Sequence, residues 1–301
     1  CHIIAETSAK LNKKKVVAAD GVVIPLLCEY YSLEGLTQLN ATIGQIRKRY
    51  NPSLELVGVL INMYDGRLYG LPIQESSAGF FYNKKIFANN SAATNYEGVC
   101  YACTNLAAIP AKLMEKATSA TNIKYMFAGC TSLTEVPAAM FENCTEVTNL
   151  EALFYMASGI KSVKKDTFKG LSKVKTIGSV FQGCTSLTDV EVGVFDGLTS
   201  VKSFPYCFAD CTSLRTIPAG LLRGLTTAYE FESMFNNTAI DSVPEGLFND
   251  VRDYDLADYA YIFSECPNLK TVPAKLFDHV TEGCSGAFNN IFTASGIETI
   301  P

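Results

Sequence analysis

One pattern constrains this chain more than any other, a block that keeps returning. "FAGCTSLTEVPAAMF", Phe127 to Phe141, recurs as "FQGCTSLTDVEVGVF", Phe181 to Phe195, and again from Phe208 as "FADCTSLRTIPAGLL". Aligning the Leu or Ile that follows each Phe block gives Leu106, Leu133, Ile160, Leu187, Leu214, Ile240, Leu269 and Ile297, at steps of 27, 27, 27, 27, 26, 29 and 28 residues. Three positions later every unit has Ile or Val, and Pro follows in six of the eight. A second apolar anchor lies eight residues beyond the first, as at Met114, Phe141, Phe168 and Phe195. A unit of this length cannot bury its own apolar side, but stacked neighbours turn each anchor column into a continuous core. Each unit reads as a short β-prone stretch around "SLTEVP", closed by Pro, followed by a segment of helical or 3₁₀ character that carries the Phe anchors. The expected fold class is therefore an α/β solenoid, a curved stack of eight or nine units with a short parallel sheet along one side. "SAGFFYNKKIF", Ser77 to Phe87, reads as a degenerate ninth unit suited to a cap.

Cys103, Cys130, Cys184, Cys211 and Cys266 share one column, three residues before the conspicuous Leu, where other units place Ala157, Asn237 and Ala294. A column that accepts Cys, Ala and Asn selects for a small side chain in a tight turn, and Cys behaves as a small buried hydrophobe with a weak donor. The cysteines read as architecture. Cys100 and Cys103 form a CxxC, but no His-bearing pair stands at zinc spacing, and the histidines are His2 and His279. Eleven is an odd number of cysteines, and a column spaced one coil apart does not form a systematic disulfide framework. No metal or cofactor is expected.

With 48% hydrophobic residues the chain has ample material for a core. A net charge of −5 leaves no domain-wide basic face for nucleic acid. The "KLNKKK" run, Lys10 to Lys15, reads as a solvated segment. No apolar stretch reaches the roughly 18 residues of a membrane span. The chain starts at Cys1 and stops at Pro301 inside its own pattern, so it reads as a fragment, and the absence of a signal peptide from it says little about compartment.

The motif "F-x-G-C-T-S-L-T-x-V-P-x-x-x-F" resembles the BspA-like leucine-rich repeats of bacterial surface and secreted proteins, over a domain set at residues 77–301. The resemblance implies adhesion to host, matrix or other cell-surface proteins, without catalysis. Residues 1–76 form a separate segment. There "AADGVVIPLLCEYYSLEGLTQL" and "LNATIGQIRKRYNPSLELVGVLINMYDGR" are similar to the later half of ParA-type chromosome-partitioning ATPases. The pattern reads as a strand over Val22–Leu27, a helix capped by Ser32 with Leu33, Leu36, Leu39, Ile43 and Ile46 on one side, and a strand over Leu54–Ile61, a partial βαβ unit. This sequence has no Gly-rich loop ending in Gly-Lys-Ser/Thr to cradle phosphates. The alternative reading is accordingly a remnant or fusion of a partitioning ATPase, which would be cytoplasmic.

The leading expectation is a non-catalytic protein-binding module displayed at a cell surface or secreted. Hydrolysis by Cys or Ser would need a positioned base, usually His. The carboxylates Asp253 and Asp255 lie in the acidic insertion "NDVRDYDLADY" and lack the glycine and terminal glutamate of an EF-hand loop. A docking face is expected in the first of the two positions between the Leu and Val anchors. That column runs Ala107, Thr134, Lys161, Thr188, Arg215, Asp241, Lys270, Glu298, changing size and charge while its flanks stay constant. Lys161, Arg215, Asp241, Lys270 and Glu298 are the candidate partner-binding residues. The second column, from Ala108 to Thr299, is mostly small and polar, and strand alternation requires the chain to turn a corner between the two anchors.

Overall fold

A computed structural model describes residues 93–251, 257–278, 280 and 288–300 with their side chains, and before them the backbone of four strands. These are β1 (His2–Ile4), β2 (Gly21–Leu27), β3 (Glu55–Tyr64) and β4 (Arg67–Leu71). They form one sheet in chain order. β1 and β2 pair in parallel, as do β2 and β3, with a register shift between Val22 and Val23. The two strands expected from hydrophobic runs are present, and their parallel pairing requires a crossover between them. The helix expected to make it falls outside the described residues, apart from Gln45, Lys48 and Arg49, which are helical and exposed. β4, not anticipated from the sequence, returns antiparallel to β3, with Tyr64 opposite Arg67. The two residues between them are Asp65 and Gly66, the dipeptide of two-residue hairpins.

From residue 93 the chain winds in successive coils joined by parallel bridges. Asn95, Asn122 and Asn149 pair in one ladder, continued by Thr176, Ser203, Glu230 and Asp258. A second ladder links Glu135 to Ser162, Thr216 to Ser242 and Thr271 to Thr299. It widens into β5 (Ser162–Val163) and β6 (Asp189–Val190). Each coil therefore has two halves, such as residues 122–135 and 136–148, whereas the sequence pointed to one short sheet.

The segment expected to have helical or 3₁₀ character is a run of turns closed by bonds between residues three apart, and no α-helix occurs among the described residues of the array. In the first half-coil, Met126 N–H donates to Ile123 O, Ala128 N–H to Tyr125 O and Cys130 N–H to Phe127 O, at 3.1–3.3 Å. Between these, alternate amides cross to the next coil: Tyr125 to Glu151 O, Phe127 to Leu153 O and Gly129 to Tyr155 O, at 2.7–3.1 Å. A helix needs every interior amide for its own i−4 carbonyl, so a segment that sends every second one to its neighbour cannot propagate one. Tyr125 and Gly129 take φ of 54° and 72°. Each is the third residue of its turn, the position that a type II turn makes left-handed.

The interior is built of columns of like side chains. Phe127, Phe154, Phe181, Phe208, Phe235, Phe263 and Phe292 stack with ring centroids 5.5–6.1 Å apart and planes within 11° of parallel. Phe204, Phe231, Tyr259 and Phe288 form a second stack at 5.5–5.6 Å. In the second half-coil, Phe168 stacks on Phe195 and Phe248 on Phe277, but Leu222 interrupts that column. Aromatic pairs at these separations add about 0.5–1.5 kcal/mol each beyond simple burial.

The column cysteines are buried, and their thiols donate across the coil. Cys130 donates to Cys100 O at 3.1 Å, Cys184 to Phe154 O at 3.4 Å, Cys211 to Phe181 O at 3.2 Å and Cys266 to Phe235 O at 3.2 Å. The coil bonds alter two assignments made by counting back from the leucine. Asp210 N–H donates to Asn236 O and Asn237 N–H to Ser264 O, so Thr238 rather than Asn237 takes the column position; its hydroxyl donates to Phe235 O. By the same register, Glu265 N–H donates to Thr293 O, placing Ser295 rather than Ala294 there. In both coils the column residue comes one position later than the leucine count places it. The column thus holds small side chains, which carry a donor in every one of these coils except at Ala157.

Candidate functional site

Each candidate residue of the first inter-anchor column is exposed: Lys161, Arg215, Asp241, Lys270 and Glu298. Their backbones run along the second ladder. Lys161 N–H donates to Thr134 O, Thr188 N–H to Lys161 O, Asp241 N–H to Arg215 O and Glu298 N–H to Lys270 O, all at 3.0–3.1 Å. The next column, at Glu135, Asp189, Thr216 and Ser242, is exposed as well. Both flanking anchors are nevertheless buried, as with Leu133 and Val136. Leu133 closes a turn from Cys130 while Val136 follows the bridge, so the corner lies between them and two exposed residues ride over it.

The column is not uniformly free. Lys270 and Glu298 pair with each other at 3.2 Å, and Ser242 Oγ donates to Asp241 Oδ1 at 3.3 Å. Lys161 and Arg215 stand two coils apart with Thr188 between them, and neither is in an ion pair among the described residues. Asp253, Asp255 and His279 lie outside the described residues, as does the unit at Ser77–Phe87. Among the described residues, no group of three His, Cys, Asp or Glu side chains is placed to hold a metal ion, and no helix is long and apolar enough to cross a membrane.

Burial dominates and disfavours the thiolate at every described cysteine except Cys103. Burial raises Cys130 and Cys144 to about 12 and pushes Cys184, Cys207, Cys211 and Cys266 upward as well. In the CxxC, burial raises Cys100, while Cys103 is lowered by accepting a hydrogen bond from the Cys100 thiol. A protonated, buried thiol is a poor nucleophile.

The surface that sequence reasoning overlooked is the outer edge of the first half-coil, formed by the turn runs 97–102, 124–129, 151–156, 178–183, 205–210, 232–237 and 260–265. Tyr101, Met156, Tyr206 and Tyr261 lie there, 56%, 49%, 37% and 40% exposed. Tyr125, Met156, Tyr206, Asp210, Tyr261 and Glu265 hold φ of 54–59°. Near Tyr125 the arrangement is closed internally: Lys124 Nζ lies 4.9 Å from the Tyr125 ring centroid and 2.7 Å from Glu151 Oε2. The legible signal was a tyrosine two residues before the Phe anchor in three units, at a position that elsewhere holds Gly98, Ala152 or Ser179.

Comparison with known proteins divides the chain in the same way. Residues 89–189 and 121–243, together more than half of the chain, match the family described as "Mycoplasma protein of unknown function, DUF285". The chain belongs to that family through its repeats. Residues 4–56 match an AAA domain. The N-terminal segment resembles chromosome-partitioning ATPases. It is similar to the chromosome-partitioning ATPase Soj of Thermus thermophilus, 40% identical over 77 residues, covering 26% of this chain and 31% of that protein. It is likewise similar to the chromosome partitioning protein ParA of Caulobacter vibrioides, 51% identical over 57 residues, covering 19% and 21%. The chain thus spans less than a third of the length of these relatives. Among solved structures, the TLR13–ssRNA13 complex overlaps 90% of this chain and 46% of that one at 11% identity and a TM-score of 0.22, too low to bear on the fold.

Proposed function

We propose that this chain is a non-catalytic protein-binding module, a BspA-like leucine-rich-repeat solenoid that mediates adhesion as part of a cell-surface or secreted bacterial protein. The observation that carries the reading is a column of exposed side chains that vary freely in size and charge, from Lys161 through Arg215 to Asp241, on a backbone ladder repeated every 26–28 residues. Such a frame holds constant what stacking requires and leaves the outward residues to a partner, and regular concave or flat faces of this kind are what repeat proteins use for binding. The partner is a protein of a host cell, matrix or neighbouring cell, and no nucleic acid or cofactor is called for.

The test is retention of the labelled full chain on intact cells and on immobilised matrix proteins, compared with a Lys161→Glu/Arg215→Glu variant. These two cations are chosen because Lys270 is occupied by Glu298. Retention that falls in the variant while its thermal midpoint is unchanged supports this face. Wild-type protein that is retained on none of these surfaces overturns the adhesion reading.

The second reading rests on the ParA- and Soj-like segment, which would make the chain a remnant or fusion of a partitioning ATPase. We propose that it has no nucleotide activity, because no Gly-Lys-Ser/Thr phosphate loop is present in this sequence. Micromolar binding of a fluorescent ATP analogue with Mg²⁺, competed by ATP, would restore the ATPase reading.

A further inference from the structure

Tyr125 and Tyr206 occupy the same position of two different first half-coils, and each has a glutamate 26 residues on, Glu151 and Glu232. Around Tyr125 the trio is complete. The Lys124 ammonium sits over the ring and ion-pairs with Glu151, the combination of aromatic face and carboxylate that binds a cation best. Around Tyr206 the tyrosine and the glutamate remain, with Tyr206 Oη donating to Glu232 Oε1 at 2.9 Å, but the residue in the place of Lys124 is Pro205. The internal cation has gone and its two recognition elements have stayed.

The surroundings add negative charge. Asp210 and Glu265 stand on the same edge at left-handed positions, with φ of 59° and 57°. No ion pair among the described residues engages Asp210, Glu232 or Glu265. Holding Tyr206, Asp210, Tyr261 and Glu265 left-handed strains each residue, although glycine serves the equivalent turn positions of the second half-coil at Gly193, Gly197, Gly220 and Gly224. Folding alone would favour glycine here too. Other first half-coils hold the small residues Ala152, Ser179 and Ser233 left-handed at the tyrosine's position, whereas here Tyr206, Tyr261 and Glu265 are long side chains at the surface.

We propose that the edge around Tyr206 and Glu232 is a receiving site for a lysine or arginine side chain of a partner protein, which takes the place that Lys124 fills beside Tyr125. The arriving cation lies over the Tyr206 ring and pairs with Glu232, while Asp210 and Glu265 attract neighbouring basic residues of the same segment. This deepens the reading of the array as a protein-binding module and rests on it, but it concerns a different surface from the Lys161–Arg215 column, so the two fail independently.

The experiment titrates the full chain into fluorescein-labelled hexalysine at low ionic strength, with hexaglutamate and fully acetylated hexalysine as comparison probes. Wild type is expected to bind hexalysine and neither comparison probe. Glu232→Gln should weaken binding about tenfold, and Tyr206→Ala about fivefold with no change of net charge. Pro205→Lys, which keeps Tyr206 and Glu232 but supplies an internal ammonium, should weaken it to a similar degree. Glu245→Gln, an exposed carboxylate of the second half-coil, should stay within about twofold of wild type. Thermal midpoints establish that each variant is folded, and the near-isosteric Glu232→Gln and the half-buried Pro205→Lys decide the matter should Tyr206→Ala lose its fold. The proposal is overturned if wild type fails to bind hexalysine, if Glu232→Gln and Pro205→Lys leave the affinity unchanged, or if Glu245→Gln weakens it as much as Glu232→Gln does.

Discussion

In the first half of each coil alternate amides cross to the next coil, as from Tyr125, Phe127 and Gly129 to Glu151, Leu153 and Tyr155. The second half makes one such bond in its turn run, Ala139 N–H to Asp166 O, repeated as Asp166 N–H to Gly193 O. It bridges its coils instead with side-chain ion pairs, Lys169 to Glu142 at 2.7 Å and Lys173 to Glu146 at 2.6 Å. The left-handed positions differ in step. The first half fills many of them with Tyr, Met, Asp, Ser and Glu, the second mostly with glycine, as at Gly170, Gly193, Gly197, Gly220, Gly224 and Gly246. A backbone tied at every second residue tolerates strained residues, each costing roughly 1–2 kcal/mol, and can display side chains rigidly. In the second half the left-handed residues that are not glycine, Ala139 and Asp166, are the ones that make its inter-coil bond, and the untied positions are glycine.

The largest test of this contrast is alkaline pH, because among the described residues the buried thiols are concentrated in the first half: Cys100, Cys103, Cys130, Cys184, Cys207, Cys211 and Cys266, against Cys144 in the second. Cys130 and Cys144 are raised to about 12 in the folded state, against about 8.5 for a free thiol. The unfolded chain therefore loses protons first, so stability is complete below about pH 8.5 and falls as pH rises toward 12, by at most about 1.4 kcal/mol per pH unit for each thiol. Thermal midpoints recorded from pH 7 to 10.5 should drop steeply. Replacing Cys184, Cys211 and Cys266 by alanine together should flatten that drop far more than Cys144→Ala, and equal slopes would contradict the contrast.

Core truncation comes next. Phe181 is stacked on Phe154 and Phe208 in the unbroken column and also touches Phe168, so Phe181→Ala should destabilise the array by about 3–5 kcal/mol in urea unfolding. Phe195, whose own column ends at Leu222, should lie at the lower end of that range. A larger loss at Phe195 would reverse the ranking of the two halves.

Backbone substitutions should act with opposite signs. At Gly170, φ is 96° and a Cβ would meet Glu142 O at 2.5 Å and Phe141 O at 2.6 Å, so Gly170→Ala should cost about 2 kcal/mol or more. Ser179, at φ 55° in the first half, is a strained residue in a tied backbone, and Ser179→Gly should stabilise by up to about 1 kcal/mol. Differential calorimetry of the two variants reads both signs, and a destabilised Ser179→Gly would remove the argument from strain. The smallest effect belongs to the ion pairs: Lys173→Met, which breaks the exposed pair with Glu146, should change stability by less than about 1 kcal/mol, with the difference vanishing in high salt.

How much of this could be read beforehand differs from residue to residue. The strands at Gly21–Leu27 and Glu55–Tyr64 were visible as apolar runs, but β4 was overlooked although Asp65-Gly66 announced a hairpin. The column cysteines were recognised as small buried residues, but their donation to a carbonyl 30 or 31 residues back has no local sequence signal. The exposure of Lys161, Arg215 and Asp241 followed from the freedom of their column, while the ion pair of Lys270 with Glu298 needed the coil register to be seen.

The sequence by itself determined the period, the anchor columns and the side chains that no stacking requirement explains, because a repeated apolar pattern can bury its surface only against copies of itself. Only the tertiary structure decided that each coil has two ladders rather than one, that the Phe-bearing segment is turns rather than helix, and that Tyr206 faces Glu232. All three depend on where alternate amides find their acceptors. Those acceptors lie a full coil away, at a distance along the chain where local propensity carries no information.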